Sequence, residues 1–407
     1  MLCRRNWHNF SASLSVNPKI TFIANYLPDK QESMLRLSEL FRAVMEEAGC
    51  EAETIRPIDR VGKLRRLFPR LEKWLGYVDK YLIFSCELFA HSLRARRDRG
   101  VIYHITDHSN AVYSFVLGKT PHIATCNDVL AIRSALGEIP ENPTGFTGRL
   151  LQKAILGGLR QTPRIVCISE NSARELGRLL GAESEKTTSA LLPLNFNFAP
   201  MSKQKAVEVL SSLGPALRTA AEHGFIVHVG GNQWYKNRKG VCAIYAELAQ
   251  LRQRLKQSPV PLILAGQGPS AELVEFARAQ GALPIHFVKA PSNEQVCALY
   301  SMASVLLFPS LQEGFGWPIV EAMACGCPVV TTGRAPMTEA GGEAAVYIDP
   351  ADAGASAQCL NEVLEWSAAD REACVQRGFG NLKRFGRTAL AEHYIGAYKE
   401  VLQNPLL

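Results

Sequence analysis

The chain has 407 residues, 47% of them hydrophobic and 20% charged, with a formal net charge of +7; this exceeds one ordinary core and excludes a disordered or fibrous chain, so two domains of roughly 200 residues are expected. No apolar run reaches the roughly 18 residues of a spanning helix, and no signal-peptide block opens the chain, which points to a cytoplasmic protein. The eleven cysteines are scattered, and the close pair Cys325 and Cys327 lacks the spacing and histidine partners of a zinc site, so reduced thiols and no metal are expected.

In chain order, residues 19–26 (KITFIANY) read as a strand, followed by a polar loop and a helical pattern over 32–48. The segment 56–99 then holds twelve basic and five acidic residues, with Leu, Phe, Trp and Tyr interleaved at near-helical spacing. Such a surface suits an anionic membrane or a phosphorylated acceptor, or is the solvated face of ordinary helices. No nucleic-acid reading module accompanies the charge, so nucleic acid is not an expected partner. Apolar runs at 101–105, 122–124 and 164–168 alternate with helical stretches such as 171–180, the pattern of a parallel sheet with helices on both faces.

The alternation breaks over 192–205 (LPLNFNFAPMSK plus two residues) and restarts at FIVHVG from Phe225. This places an N-terminal domain over 1–200 and a second over 201–390, with a closing helix over 391–407 expected to pack back on the first. The second half reads as five strands (FIVHVG, PLILAGQG, IHFV, VLLFPS and PVVTT) with crossover helices, a second Rossmann-like sheet. Ligands of such sheets bind at the carboxyl ends of the strands.

The most informative stretch is 308–332, FPSLQEGFGWPIVEAMACGCPVVTT. A strand ends at Phe308, a loop holds Glu313, Gly314, Phe315 and Gly316, and Pro318 sits where the first turn of a helix tolerates a residue without an N–H. Free amides at such a start suit a phosphate. Glu313 and Glu321 bracket it, and a carboxylate accepts two hydrogen bonds from a vicinal diol, so one suits a sugar ring and the other a ribose. A capped α/β helix explains each piece singly. The whole string resembles the E-x7-E signature of retaining glycosyltransferases of family 4, on the GT-B fold, most strongly over about 225–350 and more thinly over 17–200.

That resemblance implies two Rossmann-like doubly wound domains facing a central cleft, with the nucleotide sugar on the C-terminal side. It implies Glu313 on the sugar, Glu321 on the ribose, and a cation on the departing diphosphate from the loop GNQWYKNRKG. Lys236, Arg238 and Lys239 compete for that role. Helix spacing fits Lys236 and Lys239 equally, and counting from Gly230 favours Lys236. The arginine usual after that glycine is replaced by Gly231 and Asn232. Gly266 and Gly268 resemble the family's close approach to the nucleotide base. On the acceptor side Asn127 stands where many relatives carry histidine before Asp128, and an amide cannot carry a proton. His104, Asp107 and His108 in YHITDHSN come with the preceding strand and either line the acceptor side or are core or loop residues, and Asn25 opens a segment lacking the family's early glycine pair.

The implied chemistry is transfer of a hexosyl unit, of mannosyl or glucosyl type, from a nucleoside-diphosphate sugar to a glycan or lipid-linked acceptor with retention, without a metal or other cofactor. Stabilising the departing diphosphate is the main protein contribution. The setting expected is cell-envelope polysaccharide synthesis, in the cytoplasm or peripheral to the inner face of the membrane. A phosphorylase or sucrose-synthase-like enzyme, or a non-catalytic nucleotide- or glycan-binding protein, would share the donor half.

Overall fold

The central strands share one sequence cause: four or five consecutive β-branched, aliphatic or aromatic residues with little polar alternation, as expected where helices cover both faces of a sheet. The computed structural model describes residues 17–95, 100–281 and 283–404. It contains two parallel sheets of six strands each. The first comprises β1 (Lys19–Ile23), β2 (Glu51–Ile55), β3 (Val101–Ile105), β4 (His122–Cys126), β5 (Arg164–Cys167) and β6 (Thr187–Ser189), in the order β2-β1-β3-β4-β5-β6. The second comprises β7 (Ile226–Gly230), β8 (Leu262–Gly266), β9 (Ile285–Lys289), β10 (Val305–Phe308), β11 (Val329–Thr332) and β12 (Val346–Ile348), in the order β12-β11-β10-β7-β8-β9.

Three strands are absent from the sequence reading: β2, β6 and β12. All three are edge strands. β2 reads EAETI and none of its residues is fully buried, so the unbroken apolar run of a central strand is missing. The second sheet therefore has six strands rather than five.

Strand order reverses between β1 and β3 in the first sheet and between β7 and β10 in the second. A doubly wound sheet opens its crevice at such a switch point, at the carboxyl ends of the strands. The two are drawn together by close contacts. A Cβ on Gly314 would lie 2.3 Å from the backbone oxygen of Asn127, so only glycine admits this approach of the two halves. The Glu339 carboxylate accepts the Glu170 and Asn171 amides at 2.7 and 2.8 Å, capping the helix Glu170–Leu180 of the other sheet.

One apolar core joins both sheets, running from Phe22, Phe41 and Val166 to Tyr300 and Phe308. The closing helix Arg387–Gln403 lies across the first sheet. Its Tyr398 hydroxyl is 2.8 Å from Nδ1 of His104, and its Tyr394 hydroxyl is 2.8 Å from Thr125 Oγ1. His104 is thus a core residue rather than part of an acceptor surface, and burial pushes its pKa down to about 3.

Within the basic segment the chain makes turns at Gly62–Arg66 and Pro69–Leu71, then helices Glu72–Tyr77 and Phe84–Ala95 joined by a wider turn, Val78–Ile83. Arg96, Arg97 and Arg99 lie outside the described residues. Among the described residues no helix is long and apolar enough to cross a membrane.

Candidate functional site

The loop after β7 is shaped so that one lysine reaches the next loop. Trp234–Lys236 forms a single tight turn, and Asn237 follows in the left-handed region at φ 53°, a conformation asparagine tolerates better than most residues. Its side chain caps the helix Arg238–Arg254 by accepting from the Gly240 amide at 3.2 Å. Its Nδ2 also donates to the Pro309 carbonyl at 3.0 Å, tying this loop to the one after β10.

That tie brings Lys236 to Glu313. The ammonium lies 2.8 and 2.9 Å from the two carboxylate oxygens, with the side chains 17% and 8% exposed. The aromatic rings of Phe308 and Tyr235 flank the ammonium at 5.3 and 5.7 Å from their centroids. The pair stands at the β7/β10 switch point, where the topology predicts a crevice.

The other two cations of the loop part company. Arg238 turns inward, only 5% exposed, with one Nη donating to Asn232 Oδ1 at 2.7 Å and the Gln267 carbonyl at 2.9 Å. Its Nε and second Nη have no partner, and burial lowers its pKa. Lys239 points outward to Glu272, about half exposed. An exposed pair of this kind contributes little, and Lys239 does not join Lys236.

Around Glu313 the glycines do separate jobs. Gly316, at φ 111°, starts the helix Trp317–Ala324. Gly266, at φ 123°, packs against Gly230, so that a Cβ there would meet the Gly230 oxygen at 2.2 Å. Gly231 and Gly268 face only the ends of Gln233 and Lys289. The Phe315 ring is 4% exposed and packs edge-on against Phe385 and Trp317. Apolar burial takes its side chain into the core, and only its backbone is left for a ligand.

Glu321 sits one turn into the helix, accepting from the Tyr300 hydroxyl at 3.2 Å. Burial pushes its pKa up to about 7, against the opposing pull of Tyr300, Arg36 and Lys236. Arg36 comes from the N-terminal half, where it donates to Asn293 at 3.1 Å across the cleft. The sequence reading did not single it out. It lies in an ordinary helical pattern, and nothing local marks it.

On the N-terminal wall Asn25 and Asp107 each stand two residues beyond a strand end. The Asn25 amide donates to Asp107 at 2.6 Å and so bridges the β1/β3 switch point. Asp107 also accepts from the Ser109 hydroxyl at 2.6 Å, the Ser109 amide at 3.1 Å and Asn127 Nδ2 at 3.3 Å. Asn127 Oδ1 is buried without a partner. His108 lies 3.4 Å from Asp107; burial disfavours its charged form, but Cys126, Asp107 and Asp128 outweigh that and raise its pKa. Asp128 caps the next helix through the Leu130 amide at 2.9 Å. It also shares with Glu313 the walls of a cavity of about 230 Å³ between the two halves, with Gln312 and Arg334 alongside. Gln312 and Arg334 are further additions to the sequence reading. Both follow strand ends, so the topological rule alone could have found them. Among the described residues no cluster of His, Cys, Asp or Glu could hold a metal ion.

Residues 224–365 match the family model of glycosyl transferases group 1. The chain is 26% identical over 323 residues to the O-antigen chain mannosyltransferase B of Escherichia coli, covering 77% of this chain and 80% of that one. It is 27% identical to a D-inositol 3-phosphate glycosyltransferase of Mycolicibacterium smegmatis, over 69% of this chain and 64% of the relative. Among solved structures, a UDP-forming trehalose-phosphate synthase from Burkholderia xenovorans superposes with a TM-score of 0.66 at 12% identity, over 94% of this chain and 99% of that one. Sucrose-phosphate synthase from Thermosynechococcus elongatus gives 0.63 at 19% identity, over 95% and 99%. At such identities the likeness is one of fold. It extends over both sheets, so the sequence match over residues 224–365 and the fold agree on one architecture: the whole chain has the GT-B fold, as a nucleotide-sugar glycosyltransferase similar to the glycosyl transferases group 1.

Proposed function

We propose that the protein is a retaining hexosyltransferase that moves a mannosyl or glucosyl unit from a nucleoside-diphosphate sugar to a glycan or lipid-linked acceptor in cell-envelope polysaccharide synthesis. It would work in the cytoplasm, peripheral to the inner face of the membrane. The observation that carries this is the Lys236–Glu313 pair at the switch point of the second sheet. A lysine ammonium suits a departing diphosphate, and a carboxylate beside it suits the hydroxyls of the sugar being transferred. Arg238, with two unpartnered nitrogens, supplies a second cation where the family's usual arginine is missing. Glu321 takes the ribose. Asn127, Asp128, His108 and Asn25 form the acceptor wall, with no metal or other cofactor in the reaction. The mannosyl preference rests on the relative named as a mannosyltransferase.

A panel of nucleotide sugars, read by thermal stabilisation and slow donor hydrolysis, tests the donor. Proton NMR of the freshly released sugar reads the anomer, and retention is expected. Inversion would overturn the mechanism and leave the fold assignment standing. A phosphorylase would instead release a sugar phosphate when inorganic phosphate is supplied. A binding protein would be stabilised by a nucleotide sugar without hydrolysing it.

A further inference from the structure

The outer face of the N-terminal half combines a rigid frame with side chains that the frame does not bury. Asp79 is 1% exposed and accepts from the Tyr26 hydroxyl at 2.9 Å and from the amides of Arg60, Val61 and Gly62 at 3.2, 3.0 and 2.8 Å. Gly62 fits there because a Cβ would collide with the side chains of Asp59 and Tyr26. The entry to the turns over 62–71 is therefore pinned. Within these turns and the helical segment that follows, Leu67, Phe68, Trp74 and Leu82 stand 71, 53, 55 and 62% exposed. Single exposed apolar residues mean little, but four large ones within sixteen residues of one segment mark a contact surface.

The charges around that cluster identify the partner. Lys63, Arg66 and Arg70 have no hydrogen-bonding or ionic partner among the described residues, and Lys73 only leans over the Tyr77 ring at 5.6 Å. A protein interface of ordinary composition depletes lysine at its centre. Unpaired cations threaded between leucine, phenylalanine and tryptophan instead match a bilayer, where rings and aliphatic chains enter the acyl boundary and cations remain among the phosphates. The same segment walls a cavity of about 430 Å³, lined by Tyr26, Asp29, Arg70, Glu72, Lys73 and Lys80 among others. Lys80 is paired with Asp29 at 2.8 Å and sits between the rings of Tyr26, Tyr77 and Tyr81 at 5.8, 5.1 and 5.7 Å. The charges of this cavity without a hydrogen-bonding or ionic partner among the described residues are thus Arg70, Lys73 and the carboxylate of Glu72, which leaves one net positive charge. Tyr26 follows Asn25, so the cavity adjoins the acceptor wall.

We propose that the surface around Leu67, Phe68, Trp74 and Leu82 seats the protein on an anionic lipid bilayer, and that the adjoining cavity takes a lipid phosphate between Arg70 and Lys73. This deepens the reading of a membrane-peripheral enzyme and rests on it for the acceptor, while the seating itself stands on the surface alone.

The test is co-sedimentation of the full chain with phosphatidylcholine vesicles, with and without phosphatidylglycerol, at low and high salt. Donor hydrolysis is measured in the same samples. Wild type should sediment with the anionic vesicles at low salt and stay in the supernatant with neutral ones. Arg70→Gln with Lys73→Gln should weaken partitioning about 25-fold, roughly fivefold per charge. Leu67→Ser, Phe68→Ser and Trp74→Ser together should abolish sedimentation with the charge unchanged, while donor hydrolysis and circular dichroism stay as in wild type. Equal recovery of wild type with both vesicles, or a triple variant that still binds, overturns the proposal. So does a concentration-dependent dimer that the triple variant converts to monomer without any vesicle binding. Seating without hydrolysis of any nucleotide sugar would instead count against the transferase reading.

Discussion

The Lys236 ammonium contacts both carboxylate oxygens of Glu313, at 2.8 and 2.9 Å, across a gap of 77 residues in sequence. The two side chains are mostly buried, so they hold each other's charge as well as any ligand's. Removing one partner of a buried pair costs about 3–5 kcal/mol because the other charge is left uncompensated. Lys236→Met should therefore lower stability in urea unfolding, and Lys236→Met with Glu313→Gln should recover much of that loss without recovering activity. Glu313→Gln alone should lower turnover and kcat/KM together, roughly 10- to 150-fold for one charge-assisted hydrogen bond made in the transition state. Near wild-type turnover in Glu313→Gln would remove it from the sugar.

Glu321 should fail differently, and with a pH signature. Its carboxyl is pushed up to about 7 by burial beside Tyr300. A ribose diol donates hydrogen bonds, so it binds the ionised form. Donor affinity is then complete above about pH 7 and declines as the pH falls and Glu321 takes up a proton. Binding should release a fraction of a proton near pH 7, seen as a buffer-dependent enthalpy in titration calorimetry. Glu321→Gln should raise the donor KM more than it lowers turnover and abolish that buffer dependence. The diphosphate titrates nearby but is common to both proteins, so their difference isolates Glu321.

What could be read from the sequence follows from burial. Central strands such as β10 are apolar from end to end, and the ordered string around Glu313 and Glu321 carried the family resemblance. The edge strands β2, β6 and β12 are short or partly exposed, so their residues are not constrained to a recognisable pattern. Helix spacing left Lys236 and Lys239 equal. The side chain of Asn237 separates them, by joining its loop to Pro309 and so aiming Lys236 at Glu313. Arg36 and Glu339 act across the cleft, and no local pattern records a partner more than a hundred residues away.

Asp107 plays the joining role on the proposed acceptor wall. It accepts four hydrogen bonds, from Asn25, Asn127 and twice from Ser109, and so holds the two amides that face the cleft. Asp107→Asn replaces an acceptor with a donor opposite Asn25 and Ser109, leaving buried groups unsatisfied at about 1–3 kcal/mol. The acceptor KM should rise by an order of magnitude or more, roughly in line with that range, while the donor KM stays within about twofold. If both constants moved together, Asp107 would be supporting the fold rather than positioning the acceptor residues.

Glu339 should prove to be a latch between the two halves. Its carboxylate takes the first two amides of the helix Glu170–Leu180 at 2.7 and 2.8 Å, while Ser169 takes the third, that of Ser172, at 3.1 Å. A negative charge at a helix N-terminus is favourable, and these amides would otherwise be left to solvent. Glu339→Ala should lower stability by about 1–3 kcal/mol. Glu339→Gln, which keeps one accepting oxygen, should lose less. Burial raises the Glu339 pKa above 4.5, outweighing the two amides that pull it down. The folded protein therefore holds this proton more tightly than the unfolded chain. The group's contribution to stability is greatest below pH 4.5 and declines as the pH rises through the elevated value. Glu339→Gln removes that dependence, so the stability gap between wild type and Glu339→Gln should narrow as the pH rises through that window. Urea unfolding of both proteins across the window measures it, and a gap that stays constant or widens would show that the two amides outweigh burial in setting the Glu339 titration.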